Sequence, residues 1–250
     1  MLEVAGITQI FGGVTALEDV SFVAKKGDIT GVIGPNGAGK TTLFNIVSGI
    51  YKQTSGSVHL EGKQVTGLPP ERLARLGMVR TFQNIELFGS MTVMENVMVG
   101  MHTKSSSGIL ACSFLMPWSI GEERRIRDGA MKWLDFVGIT GEADVTAGNL
   151  PFGKGRLLEI ARALAVEPRL ILMDEPAAGL NSQETLALAS LIQRIRALGI
   201  TVVLVEHDME LVMDICDRIV VLNLGRKLAE GTPREIQENP EVIAAYLGEG

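Results

Sequence analysis

Residues Gly34–Thr41 read GPNGAGKT and follow directly on the apolar run Ile29–Ile33 (ITGVI). The pattern G-x-x-x-x-G-K-[ST] works only with a strand in front of it and a helix behind it. Ile29–Ile33 predicts a buried strand, and Lys40–Ser48 predicts a helix. In such a setting Gly34, Pro35, Asn36, Gly37, Ala38 and Gly39 form a loop whose N–H groups turn inward onto a polyphosphate. The helix N-terminus adds partial positive charge there. Lys40 is placed to reach the β- and γ-phosphates, and the Thr41 hydroxyl, followed by Thr42, to ligate Mg²⁺.

A second segment, Leu170–Pro176 (LILMDEP), is an apolar run ending in two carboxylates, Asp174 and Glu175. A strand in a parallel sheet delivers its C-terminal residues to the edge where ligands bind. Asp174 suits a metal-directed role, direct or through water, and Glu175 suits the general base that polarises an attacking water. The alternative is a pair of acids favoured by the dipole of a helix after Pro176.

The bulk numbers narrow the classes. The chain has 250 residues, enough for one large domain or a core with an inserted subdomain. A net charge of −6 is not the footprint of a nucleic-acid binder, and no nucleic-acid partner is expected. Cys112 and Cys216 are far apart and form no C-x-x-C, so neither a disulfide framework nor a thiolate metal site is predicted, and a reducing compartment fits. The start, MLEVAGITQIFGG, lacks the pattern of a signal peptide. No run reaches the ~18 apolar residues of a membrane span; Gly108–Trp118 comes nearest and reads as a buried or interfacial helix.

Short strands are predicted over Leu2–Thr8, Val20–Ala24 and Ser57–Leu60, as a β-rich layer, antiparallel, beside the first buried strand. Met78–Phe82, Leu170–Met173 and Thr201–Val205 join Ile29–Ile33 in a central, mainly parallel sheet. Ile219–Leu222 and Lys227–Ala229 close it as a hairpin. Between Leu87 and Ala165 strand runs vanish, and Met91–Val99, Glu122–Val137 and Arg156–Ala165 show helical spacing. His102–Ile120 reads as a loop followed by a short apolar helix. Pro240–Gly248 reads as a terminal helix with proline at its start and glycine at its end. The fold class is therefore α/β, a P-loop NTPase core over 1–87 and 166–250 with an inserted helical subdomain over 88–165.

Three further segments fall in one order: Thr81-Phe82-Gln83 at the end of a strand-like run, Leu150–Arg156 (LPFGKGR) opening a helix, and His207 after Thr201–Val205. The guanine-reading N-K-x-D of small GTPases is absent. At this point the chain resembles the ATP-binding-cassette (ABC) ATPases over almost its whole length. RTFQNIELFGSMTVMENV and VEHDMELVMDICDRIVVLNLGRKLAEGTP are similar to the ATPase subunits of bacterial branched-chain amino-acid importers, and the insertion at 102–123 resembles one of that system's two ATPases.

The resemblance implies ATP and Mg²⁺ as cofactors, integral-membrane permease subunits, a second cassette in a homo- or heterodimer, and, indirectly, a periplasmic substrate-binding protein. It implies a peripheral protein on the cytoplasmic face of the inner membrane. It also assigns roles. Gln83 would be the glutamine that ligates Mg²⁺ or positions water, and couples the helical subdomain to the nucleotide. Asn181 would lie in the D-loop, His207 would sense the γ-phosphate, and Phe11 would stack on adenine. Gly153 and Lys154 would bind ATP from the opposite cassette of a sandwich dimer.

One segment departs from the family pattern. Leu-Ser-Gly-Gly-Gln is replaced by Leu150-Pro151-Phe152-Gly153-Lys154, so Pro151 removes the serine hydroxyl. Backbone N–H groups at the following helix start and the Lys154 charge are the remaining phosphate ligands. Three rivals stay open from residues alone: a lipid or lipopolysaccharide exporter ATPase, a non-transport cassette, and an inactive regulatory cassette. Among single residues, Phe11 reads equally as a core aromatic. Met91, Met94, Met98 and Met101 read as core before groove, and Glu122–Arg127 reads as a solvated helix face.

Overall fold

The computed structural model describes residues 1–101 and 117–247, which form two compact units, Met1–Gln83 with Arg169–Gly250, and Asn84–Pro168. These divide a few residues inside and outside the boundaries drawn from sequence texture.

The first unit carries two sheets. Strands β1 (Leu2–Phe11), β2 (Val14–Ala24), β4 (Ser55–Leu60) and β5 (Lys63–Gln64) make an antiparallel layer in the order β2-β1-β4-β5. Strands β3 (Ile29–Ile33), β6 (Met78–Thr81), β7 (Leu170–Asp174), β8 (Thr201–Val205), β9 (Arg218–Asn223) and β10 (Arg226–Gly231) make the second, in the order β10-β9-β3-β8-β7-β6. All its pairings are parallel except β9–β10, the predicted hairpin. Strands β3, β7 and β8 are buried at every position, which is why they read as continuous apolar runs rather than alternating ones. The N-terminal strands run longer than predicted. Their outer ends include exposed Ile10, Phe11 and Val14, which carry no burial signal.

A core cluster ties the two sheets of this unit together. It joins Leu2, Ile7 and Leu17 of the antiparallel layer, Phe44 of helix α1 (Lys40–Val47), and Leu172 and Val203 of the parallel sheet. The remaining helices of the unit are α2 (Pro70–Arg75), α6 (Ser182–Ala197), α7 (Met209–Ile215), α8 (Pro233–Gln237) and α9 (Pro240–Leu247). Asn181 caps α6: its side chain accepts the Glu184 N–H and Glu184 accepts the Asn181 N–H, each at 3.0 Å. Thr232 and Glu235 do the same for α8.

The second unit is helical, with α3 (Val93–Met101), α4 (Pro117–Val137) and α5 (Phe152–Ala165). Val97, Leu134, Leu158 and Ala161 are fully buried in it. Met94 is buried as predicted for core, whereas Met91 is exposed. Asn96 is buried and clamps the entry to α3, accepting the Phe88 N–H at 2.9 Å and donating to the Phe88 carbonyl at 3.1 Å. Arg124 and Arg127 of the charged run are exposed. The loop and apolar helix read over His102–Ile120 lie outside the described residues as far as 116, and so does most of the 102–123 insertion; Gly248 lies outside them as well. Among the described residues no helix is long and apolar enough to cross a membrane.

Candidate nucleotide site

Because β3, β6, β7 and β8 run parallel, their C-terminal ends share one sheet edge. The residues that follow them are Gly34, Gln83, Glu175 and His207. Four sequence-distant segments therefore meet through strand pairing alone, with Thr81 opposite Met173, and Asp174 opposite Val205.

The loop after β3 is a cradle built on glycine. A Cβ on Gly34 would overlap the Leu222 carbonyl oxygen, and Gly39 has φ 101°, a left-handed backbone that other residues resist. Gly39 is the N-cap of α1, and no side chain caps that end. A helix start without a side-chain cap at a glycine-rich turn suits an anion. Lys40 is buried, and its Nζ donates to the Gly34 and Pro35 carbonyls at 2.6 and 2.9 Å. The cation is thus held by the loop itself. Pro35 and Ala38 are buried, while Asn36, Gly37 and Thr41 are exposed and Thr42 is half-buried. These residues fit the phosphates of a nucleotide.

Glu175 is the centre of the edge. Gln83 Nε2 donates to its Oε2 at 2.7 Å, and His207 Nε2 pairs with its Oε1 at 2.9 Å. Its backbone has φ 45°, an uncommon value for a non-glycine residue, and its N–H donates to the Val205 carbonyl at 2.9 Å. Conformations of this kind cost about 1–3 kcal/mol and cluster where function requires them. The turn presents a carboxylate beside an imidazole and an amide, an arrangement able to hold and deprotonate a water.

Two further residues organise this edge, and neither was singled out in the sequence. Glu206 is buried; its Oε1 accepts the Ala177 N–H at 2.7 Å and its Oε2 accepts the His207 N–H at 3.0 Å. It staples the segment after Glu175 to the segment carrying His207. Burial holds its carboxyl above the ordinary carboxylate range, against the pull of these N–H groups. The Arg80 side chain is nearly sealed from solvent, and its Nη2 pairs with Asp174 Oδ2 at 2.6 Å. The available signal was a single charge inside an apolar strand run, which in a folded chain demands a partner.

Asp174, Thr41 and Gln83 are oxygen donors of the kind a hard divalent cation takes. Among the described residues no group of three or more His, Cys, Asp or Glu side chains forms a metal cluster. A cation here would rest on mixed donors. Phe11 is exposed rather than core, and meets Tyr51 edge to face with ring centroids 5.7 Å apart. That leaves aromatic surface open for a base.

Within the helical unit, Pro151 is the N-cap of α5, which begins at Phe152 with no side-chain cap. Phe152 is exposed and Gly153 is half-buried. Lys154 forms an ion pair with Glu142, so its charge has a partner within the unit. The Arg156 side chain is buried and pairs with Glu159 at 2.7 Å. Three residues along a helix place the two on one face, and here that face points inward. Asn181 serves as a helix cap, as described.

Comparison with known proteins identifies the family. The ABC transporter family matches residues 17–178, and the branched-chain amino acid ATP-binding cassette transporter family matches residues 226–250. The high-affinity branched-chain amino acid transport ATP-binding protein BraF of Pseudomonas aeruginosa is 47% identical over 100% of this chain and 98% of its own length. LivG of Escherichia coli, which carries the same description, is 44% identical over the same shares. Among solved structures, a nucleotide-free ATP-binding cassette from an ABC transporter superposes with TM-score 0.86 at 34% identity, covering 98% of each chain. The ADP conformation of the cassette MJ1267 also superposes with TM-score 0.86, at 35% identity over 99% of this chain and 98% of its own. The chain belongs to the ATPase subunits of ABC transporters.

Proposed function

We propose that this chain is the ATP-hydrolysing subunit of a membrane importer for branched-chain or other hydrophobic amino acids. It works on the cytoplasmic face of the inner membrane. Its partners are integral-membrane permease subunits and a second cassette, with a periplasmic binding protein delivering the amino acid. The single observation that carries the reading is full-length similarity to BraF, 47% over 250 residues.

In this reading the Gly34–Thr42 loop binds the triphosphate and Lys40 neutralises its β- and γ-phosphates. Thr41, Asp174 and Gln83 hold Mg²⁺, which when bound supplies charge stabilisation to the in-line displacement. Glu175 takes the proton of the attacking water, and His207 senses the γ-phosphate. Phe11 stacks on adenine. A dimeric solved cassette, MJ0796, is 26% identical to this chain with TM-score 0.78. By analogy, Gly153 and Lys154 of one copy complete the site of the other.

The test is reconstitution of the chain with its permease in proteoliposomes. ATP-dependent uptake of radiolabelled leucine, lost in Glu175→Gln, supports the proposal. ATPase activity with no amino-acid uptake, but with lipid release, would assign the chain to an exporter instead.

A further inference from the structure

Arg80 lies on β6, three residues before Gln83, and is nearly sealed from solvent, with 6% of its side chain exposed. Its guanidinium spans two segments far apart in sequence. Nη2 donates to Asp174 Oδ2 at 2.6 Å, on β7. Nη1 donates to Asn45 Oδ1 and to Ser48 Oγ, both at 2.8 Å, on α1 and at its C-cap. The guanidinium carbon stands 5.0 Å from the Phe82 ring centroid and 5.8 Å from that of Phe44. Asn45 is four residues after Thr41, so it lies one turn along the same helix face. One planar cation therefore connects the helix that carries Thr41 to the carboxylate of Asp174.

We propose that Arg80 is a positioning residue for the divalent cation. It fixes the Asp174 carboxylate against the helix bearing Thr41, and it occupies one of the two carboxylate oxygens. With Oδ2 accepting from Arg80, Oδ1 is the Asp174 oxygen turned over to the cation, directly or through water. The bridge requires the guanidinium fork; a lysine ammonium carries the charge but cannot span both anchors in one plane. The inference rests on the assignment of Asp174 and Thr41 to the metal.

The experiment measures ATP affinity by calorimetry in EDTA and in Mg²⁺, for the wild-type chain, Arg80→Met, Arg80→Lys and Asp174→Asn, with circular dichroism to confirm folding. The expected result is EDTA affinity within about twofold across all four. The Mg²⁺-dependent gain should fall about tenfold or more in Arg80→Met and by a smaller factor in Arg80→Lys. Asp174→Asn should lose the gain as well. A role in stability alone would lower both affinities together, and that outcome overturns the proposal. So does an unchanged or larger Mg²⁺ gain in folded Arg80→Met while Asp174→Asn loses it. If Asp174→Asn keeps the full gain, the metal assignment itself is wrong, and the proposal falls with it. Should Arg80→Met not fold, Asn45→Ala removes one anchor instead. A Mg²⁺ gain reduced about threefold then supports the bridge, and an unchanged gain in both Asn45→Ala and Arg80→Lys overturns it.

Discussion

Gln83 Nε2 donates to Glu175 Oε2 at 2.7 Å, so the glutamine two residues beyond β6 holds the carboxylate just beyond β7. With His207 on the other oxygen at 2.9 Å, Glu175 has both oxygens engaged before any water is bound. Exchange of its carboxylate for an amide removes the proton acceptor and leaves the site's shape. Glu175→Gln should therefore bind ATP as the wild type does and hydrolyse it ~10²–10⁴-fold more slowly. Phosphate release and calorimetry on the same preparation check this; a wild-type turnover rate would mean the base lies elsewhere.

Lys40 is preplaced over the loop by two carbonyls, and a nucleotide exchanges those partners for phosphate oxygens. Lys40→Ala removes a buried charge-assisted contact and should weaken ATP binding by about 1.5–3 kcal/mol. Calorimetric titration of both proteins decides it, equal affinities being the adverse result.

Lys154 is held by Glu142 on a partly exposed surface, where an ion pair contributes under ~1 kcal/mol. Lys154→Ala should leave the melting temperature almost unchanged. If Lys154 binds phosphate across a dimer, the variant will need more ATP to dimerise while the monomer binds ATP as before. Superimposable curves of dimer fraction against ATP would remove the residue from the site.

Cys216 is buried, and desolvation together with Asp217 and Glu206 pushes its thiol up to about 12. The folded state thus retains the thiol proton. The stability this contributes is intact below the ordinary thiol range and declines as pH rises toward that value. At pH 8 the thiolate fraction is about a thousandfold below that of an unperturbed thiol. Maleimide labelling with peptide mapping should leave Cys216 unmodified in the native chain and modify it in denaturant.

The parallel sheet was legible because ITGVI, LILMD and TVVLV are buried on both faces and so carry no polar alternation. The phosphate loop was legible because its glycines and lysine serve one purpose at fixed spacing. Arg80 and Glu206 were not, because their roles exist only after folding brings Asp174 to the first and Ala177 to the second. The inward pair of Arg156 with Glu159 likewise shows only once the helix is packed. Asn181, in the segment that the family resemblance assigns to the D-loop, also carries a capping signal legible in the sequence, the Asn-x-x-Glu spacing to Glu184.

The four site-bearing strands also set how this chain tolerates change in length. Neighbouring strands are in fixed register, and each delivers its group from within two residues of its end. Deleting one residue from β7 would shift the following group by about 3.3 Å and turn it to the other face of the sheet. Glu175 would then miss Gln83 and His207 together. Insertions in connections that carry none of these groups have no such leverage on the edge. Homologues should therefore differ freely in the length of those other connections and hardly at all in the lengths of β3, β6, β7 and β8, whose lengths act as the ruler that spaces the groups of the candidate site.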